Sequence, residues 1–215
     1  MREVLDRELA SISEKFLTMA SMVKEMVKLA NAALVEADIE KARAAMAMDA
    51  EVDGLEARID DEAIATIARH QPVAGDLRFL VSILKAVTDL ERAGDYAAHV
   101  AEDAIVLAKE PPLKRYVLLP RMAERTAMMI ESVAKAVAEH DVEAARGVLL
   151  ADDEVDDSYE QITRELITYM LEDPRTISKA LVLLRVARSY ERLGDHLENI
   201  AERVIFWITG ETPNR

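Results

Sequence analysis

Parts of this chain repeat at two spacings, and the spacing changes where a loop is expected. Asp38-Ile-Glu-Lys-Ala-Arg43 recurs as Asp141-Val-Glu-Ala-Ala-Arg146, and Asp49-Ala-Glu-Val-Asp53 as Asp152-Asp-Glu-Val-Asp156, both 103 residues on. Asp89-Leu-Glu-Arg-Ala-Gly-Asp95 recurs as Ser189-Tyr-Glu-Arg-Leu-Gly-Asp195, 100 residues on. One spacing could arise by chance. Two spacings that switch between neighbouring helices are what an internal duplication with one loop-length difference leaves behind.

Breakers and caps divide each copy into three long helices. The first helix is expected from Val4 to Glu36 and the second, capped by Asp38, to about Arg69. The third is expected to be capped by Asp76 after the Gln71-Pro72 and Gly75 break, and to reach about Lys109. Pro111-Pro112 is the clearest boundary in the sequence. A fourth helix should start near Pro120 and end near His140, and a fifth should run from the Asp141 cap to Glu172. Asp173-Pro174 then sets an N-cap before a Pro at the first helical position of a sixth, which stops at Gly210. Long helices with short connections pack antiparallel. The expected fold is therefore all-α: two tandem, internally duplicated three-helix bundles, residues 1–110 and 111–215, in an elongated molecule. Composition agrees, with 51% hydrophobic but only 4% aromatic residues, six Gly and six Pro, and an abundance of helix formers.

The formal net charge of −14 excludes the basic footprint that nucleic-acid binding requires. It also argues against holding free phosphate or anionic lipid through side chains alone. The chain has no cysteine, so disulfides, thiolate metal sites and a cysteine nucleophile are ruled out. The charged start and the lack of a long apolar run predict a soluble, cytoplasmic protein without membrane insertion, able to dock on a membrane complex through protein contacts.

Stepping at ~100° per residue, Leu193, Leu197, Ile200 and Val204 mark the core face of the sixth helix. Glu191, Asp195, Glu198, Asn199 and Glu202 lie almost opposite. The third helix repeats the pattern, with Ile83, Leu90, Ala97 and Ala101 inward and Glu91, Asp95, His99 and Glu102 outward. Asp152 and Asp156 on the fifth helix, and Asp49 and Asp53 on the second, fall beside the core stripe, near a seam. A solvated acidic face is the ordinary reading of such residues, and a copied solvated face would also repeat. Carboxylates at i and i+4 repel by ~0.2–0.5 kcal/mol on an exposed helix. Two such pairs brought together across a seam would be relieved by a multivalent cation with oxygen ligands, or in part by Arg92 and Arg192. Gly94 and Gly194, each costing ~1 kcal/mol inside a helix, serve either close helix packing or room for an ion. His70 and His140 are read as helix caps, and His196 points off the acidic stripe.

The combination of Gln71-Pro-Val-Ala-Gly-Asp-Leu-Arg78, Asp89-Leu-Glu-Arg-Ala-Gly-Asp95 and Tyr190-Glu-Arg-Leu-Gly-Asp-His-Leu-Glu-Asn-Ile-Ala-Glu202 resembles the PhoU family over nearly the whole length. That resemblance implies two three-helix bundles and an accessory role to the phosphate-specific ABC transporter. It further implies negative regulation of the phosphate-starvation response, contact with a PhoR-type sensor histidine kinase and with the transporter's PstB-type ATPase subunit, and a homodimer. Some family members bind metal through paired acidic motifs. Here these fall on Asp49/Asp53 with Glu91/Asp95, and on Asp152/Asp156 with Glu191/Asp195, with His99, Glu102, Asn199 and Glu202 on the same stripes. The expected ion is iron, zinc, manganese or magnesium, in a site of one or more metals. His99 stands where the family often has Asn, as at Asn199, and imidazole suits zinc or iron(II) better than an amide does.

Two other functions fit parts of the pattern. A spectrin-like scaffold would share the fold and need no ion. A di-iron carboxylate enzyme would need two Glu-x-x-His pairs aimed into a bundle core, and no histidine here has Asp or Glu three residues before it. The sequence also lacks a P-loop and a Gly-x-Ser-x-Gly elbow. The reading is therefore a metal-binding regulator of phosphate supply, not an enzyme.

Overall fold

Each copy builds two helices from a shared local design. The Asp38 carboxylate accepts hydrogen bonds from the backbone N–H groups of Glu40 and Lys41, and Asp141 does the same for Glu143 and Ala144. Just before each cap the chain turns through a left-handed residue, Ala37 or His140. The Asp38 and Asp141 N–H groups then close the preceding helices on Ala33 and Ala136, each at 3.1 Å. Side-chain oxygens and turned backbone thus satisfy the groups a helix end leaves open.

The computed structural model describes residues 2–212. Its helices are α1 (Arg2–Glu36), α2 (Ile39–His70), α3 (Ala74–Leu107), α4 (Leu118–Glu139), α5 (Val142–Glu172) and α6 (Ile177–Thr209). Four starts differ from the expectation, α1 beginning at Arg2 instead of Val4. Helix α3 begins two residues ahead of Asp76, after buried Pro72 and extended Val73, so Asp76 sits in the first turn and pairs with Arg2 at 2.5 Å. Helix α4 begins two residues before Pro120, where a missing N–H costs nothing. Asp173 caps a 3-10 turn, Pro174–Thr176, and the sixth α-helix follows only at Ile177.

Helices α1, α2 and α3 form one bundle and α4, α5 and α6 the other. The bundles do not extend the molecule end to end. They lie side by side, with α3 against α6 and α1 against α4. Contacts along α3 and α6 pair the start of one with the end of the other. Phe79 packs on Trp207 (ring centroids 4.7 Å), Asp89 meets His196 and Arg203, Tyr96 stacks on His196, and Asp103 pairs with Arg185. The result is two layers: α2, α3, α6 and α5 in front, α1 and α4 behind. A single apolar core runs through both bundles, from Ile12 and Phe16 to Val204 and Ile205. Because α3 and α6 are antiparallel and equivalent, a local two-fold axis passes between Tyr96 and His196, normal to the front layer.

Candidate metal centre

Both pairs of acidic motifs lie in front-layer seams, α2 with α3 and α5 with α6. The second seam converges. Ligand oxygens of Asp152, Asp156 and Asp195 all lie within 4.8 Å of one another, the one such group among the described residues. Asp152 is only 7% exposed, and its Oδ1 has no hydrogen-bond partner in the protein. Burial, then Asp156, Glu198 and Asp195, push its carboxyl up to about 7. Burial and Asp195 also raise Asp156, and burial and Asp195, against Arg192, raise Glu191. Arg192 offsets part of the charge, donating to Asp195 at 3.0 Å and lying 3.5 Å from Glu191.

Gly194 explains how a carboxylate reaches so deep. A Cβ there would stand 2.5 Å from Asp152 Oδ1, a distance no side chain tolerates. The missing Cβ is the space the carboxylate occupies. Gly94 has a different reason: its nearest neighbours would be Val52 at 3.5 Å and Val23 at 3.6 Å, ordinary helix packing. The two readings left open for these glycines therefore divide between them, packing at Gly94 and room for a site carboxylate at Gly194. An orphaned buried oxygen, a cradle a methyl would fill and an all-oxygen donor set fit a hard cation.

The first seam holds similar donors in a looser arrangement. Asp49 is raised by burial and then by Asp95 and Asp53, with His99 opposing. Glu91 is pushed up to about 7 by burial and Asp95, with Arg92 opposing. These residues share one electrostatic neighbourhood, but no three of them converge as the second set does. Gly94 meets Val52 and Val23 and no carboxylate, whereas Gly194 meets Asp152 as well as Val155; Arg92 holds Asp95 at 2.9 Å, as Arg192 holds Asp195. His99 is exposed and meets Tyr96 edge-on at 5.8 Å. His99 and Glu102 also line a groove of about 550 Å³ between α3 and α6, with Arg185, Arg188 and Arg192. Asn199 and Glu202 are half-buried on the α6 stripe.

Two neighbours of the sites were absent from the expected set. Glu56 acts on Glu91 and Glu198 acts on Asp152. Helical phasing finds both, but comparing the copies hides them, because their counterparts are Tyr159 and Ala98. Among the histidines, His140 is the left-handed cap of α4. His70 ties α2 to Glu8 of α1 at 3.1 Å, and His196 ties α6 to Asp89 of α3 at 3.0 Å.

The PhoU domain model matches residues 16–104 and again 119–204, once per bundle. A Deinococcus radiodurans relative, named as a phosphate-specific transport system accessory protein PhoU homolog, is 49% identical over 98% of this chain and 99% of its own length. A Pseudomonas aeruginosa relative of the same name is 40% identical over 94% of this chain and 84% of its own. The crystal structure of PhoU from Pseudomonas aeruginosa superposes with a TM-score of 0.92 at 39% identity, covering 96% of this chain and 99% of that one. The phosphate transport system regulatory protein PhoU from Streptococcus pneumoniae gives 0.90 at 26% identity, over 98% of this chain and all of that one. With both bundles matched and close relatives aligned nearly end to end, this chain belongs to the PhoU family.

Proposed function

We propose that this chain is a cytoplasmic accessory regulator of phosphate uptake, which holds a multivalent cation between α5 and α6 and keeps the phosphate-starvation response repressed while phosphate is plentiful. The regulatory reading is carried by the family and by the name of its 49% identical relative, an accessory protein of phosphate transport. The chain is not an enzyme; its family consists of accessory proteins. The partners that fit are a PhoR-type sensor histidine kinase and a PstB-type ATPase subunit, met by a homodimer. No helix among the described residues is long and apolar enough to cross a membrane, so a position at the membrane would come through those partners.

The cation reading is carried by the orphaned Asp152 oxygen. Asp152, Asp156 and Asp195 would hold the ion, with Glu191 and Glu198 beside them. The ion would supply positive charge that lets a buried carboxylate stay ionised and ties α5 to α6. Oxygen donors alone favour magnesium or manganese over zinc or iron(II). The first seam, with His99 nearby, is the looser site and needs side chains to move before it can load.

Two measurements test the two halves of this proposal separately. In phosphate-replete cells, deleting the gene should switch on phosphate-starvation genes; continued repression would refute the regulator. Protein purified without chelator should carry metal, and stripped protein should rebind Mn²⁺ in calorimetry. Failure of either at physiological metal levels would remove the cation and leave the regulator standing.

A further inference from the structure

The front layer carries exposed apolar residues that neither the cation seams nor the core accounts for. Eight of them recur in both halves at the spacings of the duplication: Ile64 with Ile167, Leu77 with Ile177, Val81 with Leu181, and Val106 with Phe206. All eight are solvent-exposed. Most of these pairs differ in identity yet keep an apolar side chain on a face where water would accept any polar one. Each is 36–57% exposed, so packing within the chain accounts for only part of each side chain.

Their placement is ordered. On α3 they share one stripe with Glu91, Asp95, His99 and Glu102, acidic at its middle and apolar at its ends, and the α6 stripe repeats this. Since α3 and α6 are antiparallel, Phe206 comes beside Leu77 and Val81, and Val106 beside Leu181. The front face thus has one apolar patch at each end, exchanged by the local two-fold and separated by about 40 Å of helix. Between them lie the acidic seams. Arg185, Arg188 and Arg192 line the groove between α3 and α6, but in the first seam Asp49, Asp53, Glu56, Glu91 and Asp95 outnumber the positive charges of Arg92 and one divalent cation.

We infer that this face docks a two-fold symmetric protein dimer, one chain spanning both partner subunits. Each subunit would press the same apolar segment onto one patch and offer basic side chains to the neighbouring seam. The repeated patches ask for two equivalent apolar elements, and the acidic centre asks for positive charge between them. A second copy of this chain meets the first demand but not the second, because its seams carry an excess of carboxylates and its arginines lie in the groove between α3 and α6. A membrane surface would give no reason for a two-fold repeat of patches about a protein axis. The inference does not rest on the cation reading.

The test places a photo-crosslinking p-benzoylphenylalanine at Val81 or at Leu181 of the full chain in phosphate-replete cells, with crosslinked peptides identified by mass spectrometry. Both probes should label the same segment of the same protein, and native mass spectrometry of the crosslinked complex should give two partner subunits for each copy of this chain that they span. Combining the probe at Val81 with Leu181→Glu should reduce its crosslinking at least tenfold, since losing one end weakens the whole span. Both sites are exposed, so circular dichroism of each variant should match the parent. Crosslinks to a second copy of this chain, to two different proteins or segments, or to no protein would each overturn the inference.

Discussion

Replacing Gly194 and Gly94 separately by alanine isolates the one place where the two halves differ in kind. In a helix interior, Gly→Ala is worth about 1 kcal/mol of added stability through helix propensity alone. At Gly94 the new methyl would sit 3.5 Å from Val52 and 3.6 Å from Val23, ordinary contact, so Gly94→Ala should realise most of that gain. At Gly194 the methyl falls 2.5 Å from Asp152 Oδ1. Restoring normal contact moves the carboxylate by about 1 Å, out of its cradle and away from Asp156 and Asp195. Without metal this displacement is cheap, because it returns a buried, half-protonated acid toward water. With metal it loses a positioned ligand, and misorienting a ligand costs roughly 10–100-fold in affinity. At saturating ion that is about 1.4–2.7 kcal/mol of lost ligand-linked stability, or several degrees in Tm for a chain of this size. The assay is calorimetric unfolding of both variants in chelator and again in excess Mn²⁺, with titration calorimetry for Kd. Both should match or exceed the parent in chelator, and only Gly194→Ala should lose most of the Mn²⁺-induced rise. Equal rises in the two variants, with unchanged Kd, would refute the idea that Gly194 exists to seat Asp152.

Asp152 has a folded-state carboxyl raised to about 7, so the folded protein binds a proton that the unfolded chain has released between about pH 4 and 7, and metal-free stability should fall as pH rises through that window. Asp152→Asn should flatten that slope in chelator; parallel Tm-versus-pH curves for parent and variant would count against a strained buried acid. Asp89 runs the other way: burial opposes its ionisation, but His196 and Arg203 outweigh it and hold the carboxyl below its ordinary range. Its stabilisation is present above about pH 4 and disappears as pH falls through the folded value. Asp89→Asn should cost roughly 1–3 kcal/mol at pH 7 and much less near pH 3, read by urea unfolding at both. Tyr190 is fully buried and its hydroxyl finds no protein partner. Tyr190→Phe should therefore leave Tm unchanged or raise it by the equivalent of about 1 kcal/mol, and a clear drop would show that the hydroxyl is satisfied.

Duplication made the helices legible and concealed how the halves meet. Comparing copies matches Asp38 with Asp141 and Glu91 with Glu191, because a residue that caps or lines a seam does so through neighbours that were copied with it. It is blind to contacts between the copies, whose partners have no reason to match. Asp89 grips His196 and Arg203 across α3 and α6, while its own counterpart is Ser189, and Asp103 reaches Arg185 while Arg203 stands in its equivalent place. The side-by-side arrangement rests partly on such unmatched pairs, and a repeat alignment predicts two bundles without saying which faces they share. The same blindness explains the site. The sequence shows identical spacings in Asp49/Asp53 and Asp152/Asp156, and in Glu91/Asp95 and Glu191/Asp195, so it proposes two centres told apart only by His99 against Asn199. The difference lies in where the Asp152 side chain goes, into the space beside Gly194, whereas Val52 and Val23 are what meet Gly94. Both copies have the glycine and both have the valine, so no residue type in either motif marks the distinction. It is set by packing of the surrounding helices, at a scale of about 1 Å that helical phasing does not resolve. An ion that needs three converging oxygens reads that ångström directly, and so the two seams of one duplicated motif are expected to load unequally.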